Sequence, residues 1–489
     1  MRLSKLVSAV NGGRLIAKGE WERNIEVLSA DSREKRENAL FFCLIGENAD
    51  GHAYAAEAIK NGAVALVTER ELFVDVPQIL VQDVRETLSI LASIFYGEPS
   101  QKMQVIGITG TNGKTTTAYM LASILSAAGK RVGVIGTLGV SYGSTRYTTD
   151  LTTPDPIPLQ SMLAEMLARG AEYVVMEVSA HALHYKKTLG IRFAAGIFTN
   201  FTQDHLDFFH TMHKYKAEKA KLFDPQTTPI AVLNGDDETG REFAKMRETG
   251  NVKTVFYGLN TPADAFAIVT DDSSLGTECM LNVDDQLCRV SLRLVGQHNV
   301  YNALAAAACA IELGVDSHYV GLGLNALRNV EGRLQRVESG HVGEIYVDFA
   351  HTPDGLERTL ETLKKYCKGR LICLFGCGGN RDKTKRPIMG EVVAKKADFA
   401  ILTSDNPRYE DPLDIIAGIE KGYRRFSVKY VIVPDRKRAI AYGIDFLQKG
   451  DILLIAGKGG EEYQEIMGIK YPFKDHDIIA QTLFEKRKK

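Results

Sequence analysis

No stretch restricts the fold of this chain more than residues 105 to 116, VIGITGTNGKTT. The apolar run Val105 to Ile108 reads as a buried strand, and Thr115 to about Ala128 reads as a helix with apolar positions at 120, 121, 124, 125 and 128. A strand that enters a helix through a glycine turn aims free backbone N–H groups and the helix dipole at an anion. Lys114 is then placed for β- and γ-phosphates and Thr115 for a Mg2+ ion. The pattern is not a full GxxxxGK[ST], because Ile108 stands five residues before Gly113. An ordinary helix after a glycine turn is the bland alternative, yet strand, turn, Lys-Thr pair and amphipathic helix all agree. Gly110, Thr111, Asn112, Gly113, Lys114, Thr115 and Thr116 are the candidate phosphate-binding set.

This strand–turn–helix unit repeats its rhythm along the chain, which makes the fold class α/β. At 489 residues the chain has room for about three domains. Residues 1–98 carry short β-like runs (40–44, 63–67, 78–81) between Ala-rich helical stretches, a small α/β module closed by turn residues at 96–100. In residues 99–332 the strand candidates are 105–108, 132–135, 173–176, 196–199 and 230–233, and their alternation with helices predicts a mainly parallel sheet covered on both faces. The rhythm restarts after 330–333 with 345–347, 371–375, 399–402, 430–433 and 452–455, which predicts a Rossmann-like domain over 333–489.

Composition narrows the function class by exclusion. Lys plus Arg (60) and Asp plus Glu (61) cancel, so no global field draws the chain to nucleic acid or an anionic membrane. Seven cysteines form no CxxC pair, which fits a reducing compartment better than a disulfide framework. No stretch approaches the ~18 consecutive apolar residues of a membrane span. A cytoplasmic enzyme or binding protein is expected, working on small molecules as a monomer.

If phosphates sit on the loop, metal ligands are expected at the carboxyl ends of neighbouring parallel strands. Glu177 closes the strand 173–176, and His205 follows the strand 196–199 in TNFTQDHLD. Either residue alone is more often a surface or capping group; with the loop they form a constellation.

The segments GTNGKTT, MEVSAHAL, TNFTQDHLD, GQHNVYN, GR, DFAHTPD and SDNPR occur in the order seen in the Mur ligases, and the chain resembles that family from residue 31 to about 464. Within it the likeness is to the branch that adds the third residue of the peptidoglycan stem peptide. The resemblance implies ATP and Mg2+ as cofactors. It also implies transfer of the γ-phosphate to a substrate carboxylate, and attack of an amine on the resulting acyl phosphate. Phosphorylation converts a poor electrophile with a poor leaving group into a good one, and Lys114 offsets charge as the phosphoryl group moves.

By the same resemblance the three segments are a UDP-muramoyl substrate domain, a central ATP-binding domain and a C-terminal amino-acid-binding domain. Thr115 and Glu177 are implied on one Mg2+, with His205 and a carbamylated Lys219 at or near a second. Without the family Lys219 would read as one of a run (Lys214, Lys216, Lys219, Lys221) on a solvated helix face. Asn299 and Asn302 resemble adenine contacts, although Asn299 also suits an N-cap. Arg333 resembles a nucleotide-contacting arginine, and Asp348 and His351 resemble residues reaching ribose and phosphate across a domain closure. Ser32 in DSR, and Asn48 in GENADGH, match the uridine-nucleotide contacts, while Thr152, Thr153, Ser179 and Lys187 match the muramoyl-peptide pocket.

The loop Ser404 to Arg408 follows the strand 399–402, where ligands bind in open α/β sheets. An Asx-Pro turn alone is loop punctuation, but Arg408 adds a planar fork suited to a carboxylate. Asp405, Asn406, Pro407 and Arg408 resemble the family version that selects meso-diaminopimelate, whose distal carboxylate lysine lacks. Arg386 in RDKTKRP, with Gly457 and Glu461 in GKGGEEYQ, matches other contacts to that amino acid; for Arg386 a surface salt bridge competes. The implied substrates are therefore UDP-N-acetylmuramoyl-L-alanyl-D-glutamate and meso-diaminopimelate. The chain departs from the family pattern at Ala180, at Lys187 where arginine is usual, and at Gly460 where histidine is usual. The rivals are the same ligase with L-lysine or another diamino acid, a folylpolyglutamate- or cyanophycin-type ligase, and a phosphate-loop NTPase that moves a partner.

Overall fold

The computed structural model describes residues 1–10, 14–16, 22–46, 49–248, 252–339 and 343–487. Its central sheet is organised around the strand Gln104–Thr109, which lies between Tyr173–Glu177 and Ala195–Phe198, all parallel. Val132–Gly136 extends one side, and Ile230–Asn234 and Lys253–Gly258 extend the other. Alternation along these strands feeds two cores. Ile106, Ile108, Val175, Ile197 and Val232 face the helices Lys114–Ala127 and Gln297–Glu312. Val105, Val174, Met176, Phe198 and Leu233 face the opposite layer, which includes the helix Pro156–Ala168. Burial on both faces makes each strand a near-continuous apolar run, the pattern visible in the sequence.

The sheet is longer than that pattern predicts. An internally antiparallel meander of Ala265–Ser273, Gly276–Val283 and Gln286–Leu292 joins Lys253–Gly258 through a short parallel pairing at one edge, and Gly139–Tyr142 with Thr145–Tyr147 continues the other edge antiparallel, giving eleven strands. Ala265–Ser273 is exposed along most of its length, so it carries no buried-strand signature.

Two further sheets flank the central one. The N-terminal sheet runs in the order Arg14–Ile16, Gln78–Leu80, Ala63–Thr68, Ala39–Phe42, Val27–Ser29, parallel except for its first pair. The C-terminal sheet runs Gln335–Val337, Glu344–Asp348, Ile452–Ala456, Leu371–Phe375, Phe399–Leu402, Lys429–Ile432, again parallel beyond its first pair. The helices Pro353–Tyr366, Lys385–Lys396 and Pro412–Tyr423 cover one face, and Arg436–Phe446 and Asp475–Arg487 cover the other. Beneath its loops Arg436 and Asp475, both fully buried, pair through two bonds of 2.8 and 2.6 Å. Such a pair fixes geometry more than it adds stability, since both ions have left water.

The carboxyl ends of the central strands face the C-terminal sheet, and polar contacts cross between them. Arg333 Nη2 donates to Thr115 Oγ1 at 2.8 Å, and Asn112 Nδ2 donates to Asp354 Oδ2 at 2.9 Å. Glu331 pairs with Arg146 and with Lys474, each at 2.6 Å. The N-terminal unit is tied on by Lys186, whose Nζ lies 2.8 Å from both Asp83 and Glu86. No helix among the described residues is long and apolar enough to cross a membrane.

Candidate functional site

A cleft of about 1500 Å3 lies between the central and C-terminal sheets. Its floor is the turn between Gln104–Thr109 and Lys114–Ala127, where Gly110 has φ +149° and Gly113 φ +87°. A Cβ at Gly110 would lie 1.9 Å from Thr199 Oγ1, and one at Gly113 would lie 2.5 Å from Asn302 Oδ1. Glycine is required here by both conformation and close approach. The turn is braced from the next strand end: Asn200 Oδ1 accepts from Asn112 N at 2.9 Å, and Thr199 Oγ1 donates to Asn112 O at 2.6 Å. Lys114 folds back on this loop, donating to Gly110 O at 2.9 Å and Thr111 O at 2.8 Å. Burial lowers its pKa, while the carboxylates of Glu177 and Asp204 oppose the shift.

Glu177 is 1% exposed, and its carboxylate accepts from Thr115 Oγ1 at 2.9 Å, Thr137 N at 2.8 Å and Thr137 Oγ1 at 3.1 Å. A hydroxyl and a buried carboxylate in contact form an oxygen donor set suited to a hard cation. Lys219 lies beneath the loop, 1% exposed, with Nζ donating to Gly110 O at 2.8 Å and lying 4.5 Å from the Tyr215 ring centroid. Lys214 and Lys221 of the same run are exposed, so one side chain of that charged series turns inward. Burial, reinforced by the Lys114 charge, holds the Lys219 pKa well below that of an ordinary lysine.

His205 sits beside Asp204, whose Oδ2 is 3.3 Å from its Nε2, and its ring packs edge-on against His181 at 4.7 Å between centroids. Burial pushes the His205 pKa down to about 4. Asp204 lines the cleft, and its negative charge opposes the downward shifts at Lys114, Lys219 and His205; it belongs to the segment TNFTQDHLD but is not among the site residues expected from the sequence.

Farther along the cleft, Asn302 Nδ2 donates to Asn299 Oδ1 at 3.1 Å, and Asn299 Nδ2 to Val295 O at 2.9 Å. The N-cap of their helix is Gly296, so Asn299 lies inside the first turn and does not cap it. Asp236 and Tyr301, joined at 2.7 Å, form the adjoining wall; Tyr301 belongs to the segment GQHNVYN, whereas Asp236 lies in none of the quoted segments. Arg333 stacks over Phe349 at 4.4 Å. Asp348 is engaged as a fastener, accepting from Leu334 N at 2.6 Å and Ala350 N at 2.8 Å, and burial raises its pKa. His351 Nδ1 lies 2.8 Å from Phe349 O, which leaves Nε2 for the cleft that this residue lines.

The side wall holds Thr152, Thr153, Ser179 and Lys187. Thr153 Oγ1 donates to Glu177 O at 3.0 Å, and Lys187 Nζ pairs with Asp155 at 2.7 Å. Ser32 lies elsewhere, in the N-terminal unit, where its hydroxyl donates to Glu57 Oε2 at 2.6 Å. Asn48 is outside the described residues.

At the C-terminal wall the loops 404–408 and 457–461 meet. Gly457 (φ +112°) passes so close to Asp405 that a Cβ would lie 2.5 Å from Oδ2. Asn406 Nδ2 donates to Glu461 Oε2 at 2.9 Å. Arg408 has φ +52°, and its Nε donates to Glu465 Oε2 at 3.0 Å and Nη1 to Gly379 O at 2.9 Å. Pro407 is buried beside it. Arg386, by contrast, is not in the cleft. It is 4% exposed, its stem lies over Gly418, and it grips Glu410 with two bonds of 3.0 Å. The arginine of RDKTKRP that lines the cleft is Arg381, across Gly378 from Arg408. Helix phase decides between them: Arg386 lies inside Lys385–Lys396 on the side facing Pro412–Tyr423, whereas Arg381 precedes the helix.

Fold and site together define a nucleotide-dependent enzyme of the phosphate-loop kind, built from three α/β units. The chain matches the Mur ligase family catalytic domain over residues 24–96, the Mur ligase middle domain over 108–310 and the Mur ligase glutamate ligase domain over 332–459. It is 41% identical over 486 residues to the UDP-N-acetylmuramoyl-L-alanyl-D-glutamate–2,6-diaminopimelate ligase of Caldanaerobacter subterraneus subsp. tengcongensis, covering 99% of this chain and 100% of that one. A solved structure of a ligase with that same name superposes with a TM-score of 0.72 at 30% identity, covering 100% of this chain and 99% of the other. The MurF ligase of Thermotoga maritima in complex with ADP shares the fold, with a TM-score of 0.61 at 22% identity over 94% of this chain and 96% of that one. This chain belongs to the Mur ligase family, whose members are ATP-dependent.

Proposed function

We propose that this protein joins meso-2,6-diaminopimelate to UDP-N-acetylmuramoyl-L-alanyl-D-glutamate with cleavage of ATP to ADP and phosphate, in the cytoplasmic synthesis of peptidoglycan precursors. The observation that carries the reading is the convergence, in one cleft, of the phosphate loop with two arginines, Arg381 and Arg408, and the carboxylate of Glu461. Two guanidinium forks and one carboxylate complement an amino acid with a distal carboxylate and a distal ammonium. A lysine substrate offers no distal carboxylate to that cationic pair.

In the first step a glutamyl carboxylate oxygen bonds to the γ-phosphorus, and the bond from that phosphorus to the β-phosphate oxygen breaks. In the second, the incoming amine forms a C–N bond, the acyl C–O bond breaks, phosphate leaves and the nitrogen loses a proton. Lys114 exchanges its two loop carbonyls for phosphate oxygens and, with Arg333, offsets their charge. Thr152, Thr153, Ser179 and Lys187 form the wall for the muramoyl peptide, with Ser32 contacting the uridine nucleotide. Asn299 and Asn302 meet the adenine end. Thr115 and Glu177 would hold Mg2+, which when bound supplies charge neutralisation at the phosphates. Burial favours the neutral amine of Lys219, the form that attacks CO2; the new N–C bond and the loss of one proton would give a carbamate beside His205, able to ligate where an ammonium cannot. The division of labour follows residues 1–98, 99–332 and 333–489, and the working unit is the monomer.

ADP release by the purified protein with ATP, Mg2+ and the UDP-muramoyl dipeptide tests this reading. Release with meso-diaminopimelate and not with L-lysine is expected. Release with lysine at equal efficiency removes the specificity reading, and equal release with no amino acid removes the ligase reading.

A further inference from the structure

Lys458 is fully buried, sits outside the cleft lining and is assigned no part in the reaction above. It belongs to the turn after Ile452–Ala456, where Gly457 and Gly459 adopt φ +112° and +53° and carry the lysine side chain inward beneath the amino-acid loops. Lysine is rarely buried without partners. The hydrogen-bond partners of Lys458 among the described residues are two residues of the candidate amino-acid wall: Nζ donates to Asn406 Oδ1 at 3.0 Å and to Glu461 Oε2 at 2.8 Å, while its charge also acts on the buried Asp405 carboxylate and Nζ lies 5.6 Å from the Tyr463 ring centroid.

These two bonds order the wall. Asn406 Oδ1 also accepts from Glu465 N at 3.0 Å, so its amide is turned with oxygen inward and Nδ2 toward Glu461 Oε2, 2.9 Å away. Glu461 Oε2 is therefore held twice, by Lys458 and by Asn406, while Oε1 carries no hydrogen bond among the described residues. Two other buried cations of this unit are committed elsewhere, Arg436 to Asp475 and Arg386 to Glu410, and Lys458 is the cation that Asn406 and Glu461 share. We propose that Lys458 is a positioning residue for the incoming amino acid: by fixing Asn406 and one oxygen of Glu461 it presents the other oxygen to the distal ammonium of a diamino acid. This rests on the ligase reading above, and it adds a determinant behind the wall that the substrate touches.

The test is a double-mutant cycle of K458M and E461Q, following KM and kcat for meso-diaminopimelate, for its analogue 2-aminopimelate, which has one amino group, and for ATP. K458M keeps the length of the stem and removes both bonds. It is expected to raise KM for meso-diaminopimelate about tenfold, the loss of one charge-assisted hydrogen bond. It should cut the preference over 2-aminopimelate by a similar factor and leave KM for ATP within about twofold. In the E461Q background the same substitution is expected to change KM less than about twofold, because its route of action is gone. An undiminished effect in that background, or equal effects on ATP and amino acid, overturns the proposal in favour of a general structural role. If K458M does not fold, K458Q replaces it in the cycle and is read by the same criteria. A native protein that uses no diamino acid at all overturns both this proposal and the ligase reading, whereas a native protein that does so with an inert K458M overturns this one alone.

Discussion

Arg381 and Arg386 lie five residues apart in one basic segment, and the structure predicts opposite consequences for removing them. Arg386 is buried against Glu410 in a two-bond grip, so R386M strands a carboxylate that is mostly covered, its side chain 14% exposed. Removing one partner of a buried pair costs about 3–5 kcal/mol. Because Glu410 keeps some contact with water and with Lys383 at 3.2 Å, the low end, about 3 kcal/mol, is expected. For a domain of this size about 1 kcal/mol corresponds to about 2–4 °C in Tm, so the C-terminal unit should melt about 6–12 °C lower. The residual activity measured well below that transition should show an unchanged KM for the amino acid.

R381A removes an exposed side chain whose only evident duty is toward the cleft. Tm should move by less than about 1–2 °C, in keeping with surface substitutions of roughly ±0.5 kcal/mol. The KM for meso-diaminopimelate should rise about 10- to 100-fold, the loss of one or two charge-assisted bonds to a carboxylate. Calorimetry and steady-state ADP release on the two variants side by side decide the matter. A raised amino-acid KM in R386M with an unaltered Tm, or a destabilised R381A with normal KM, refutes the assignment of the two arginines.

Three further outcomes are expected. K114A should abolish turnover while leaving equilibrium binding of the UDP-muramoyl dipeptide largely intact by calorimetric titration; turnover near that of the native protein contradicts the placement of Lys114 on the phosphates. G460H, which restores the residue usual in the family, should lower activity and Tm together, because its Cβ would lie 2.9 Å from Leu138 Cδ2 and 3.2 Å from Glu331 Cγ; adding Leu138→Ala should recover part of both. His298 is held by burial, with Arg358 and Lys365 adding to the effect, at a pKa of about 4. Its unfolded value is about 6.5, so between those values the unfolded chain binds more protons and stability falls as pH falls. H298Q should make the acid limb of a Tm-against-pH curve shallower, and an unchanged slope excludes His298 as a contributor.

Much of this architecture is legible in the chain because parallel strands buried on both faces must be apolar throughout. Tyr173–Glu177 and Leu371–Phe375 announce themselves in this way, as do the glycines of the phosphate turn, where a side chain has no room. The strand Ala265–Ser273 that opens the meander is not legible, since a strand exposed along most of its length has no such constraint on its composition.

What the sequence by itself determined is therefore the set of elements and the chemistry at their ends: phosphate loop, Glu177, His205, and the loop 404–408. Only the tertiary structure decided which of two arginines lines the cleft, that Lys219 is buried under Gly110, and that Lys458 stands behind Glu461. The physical reason is that local preference depends on neighbours within a few residues, whereas the burial and the partner of a long charged side chain depend on elements packed against it from far along the chain.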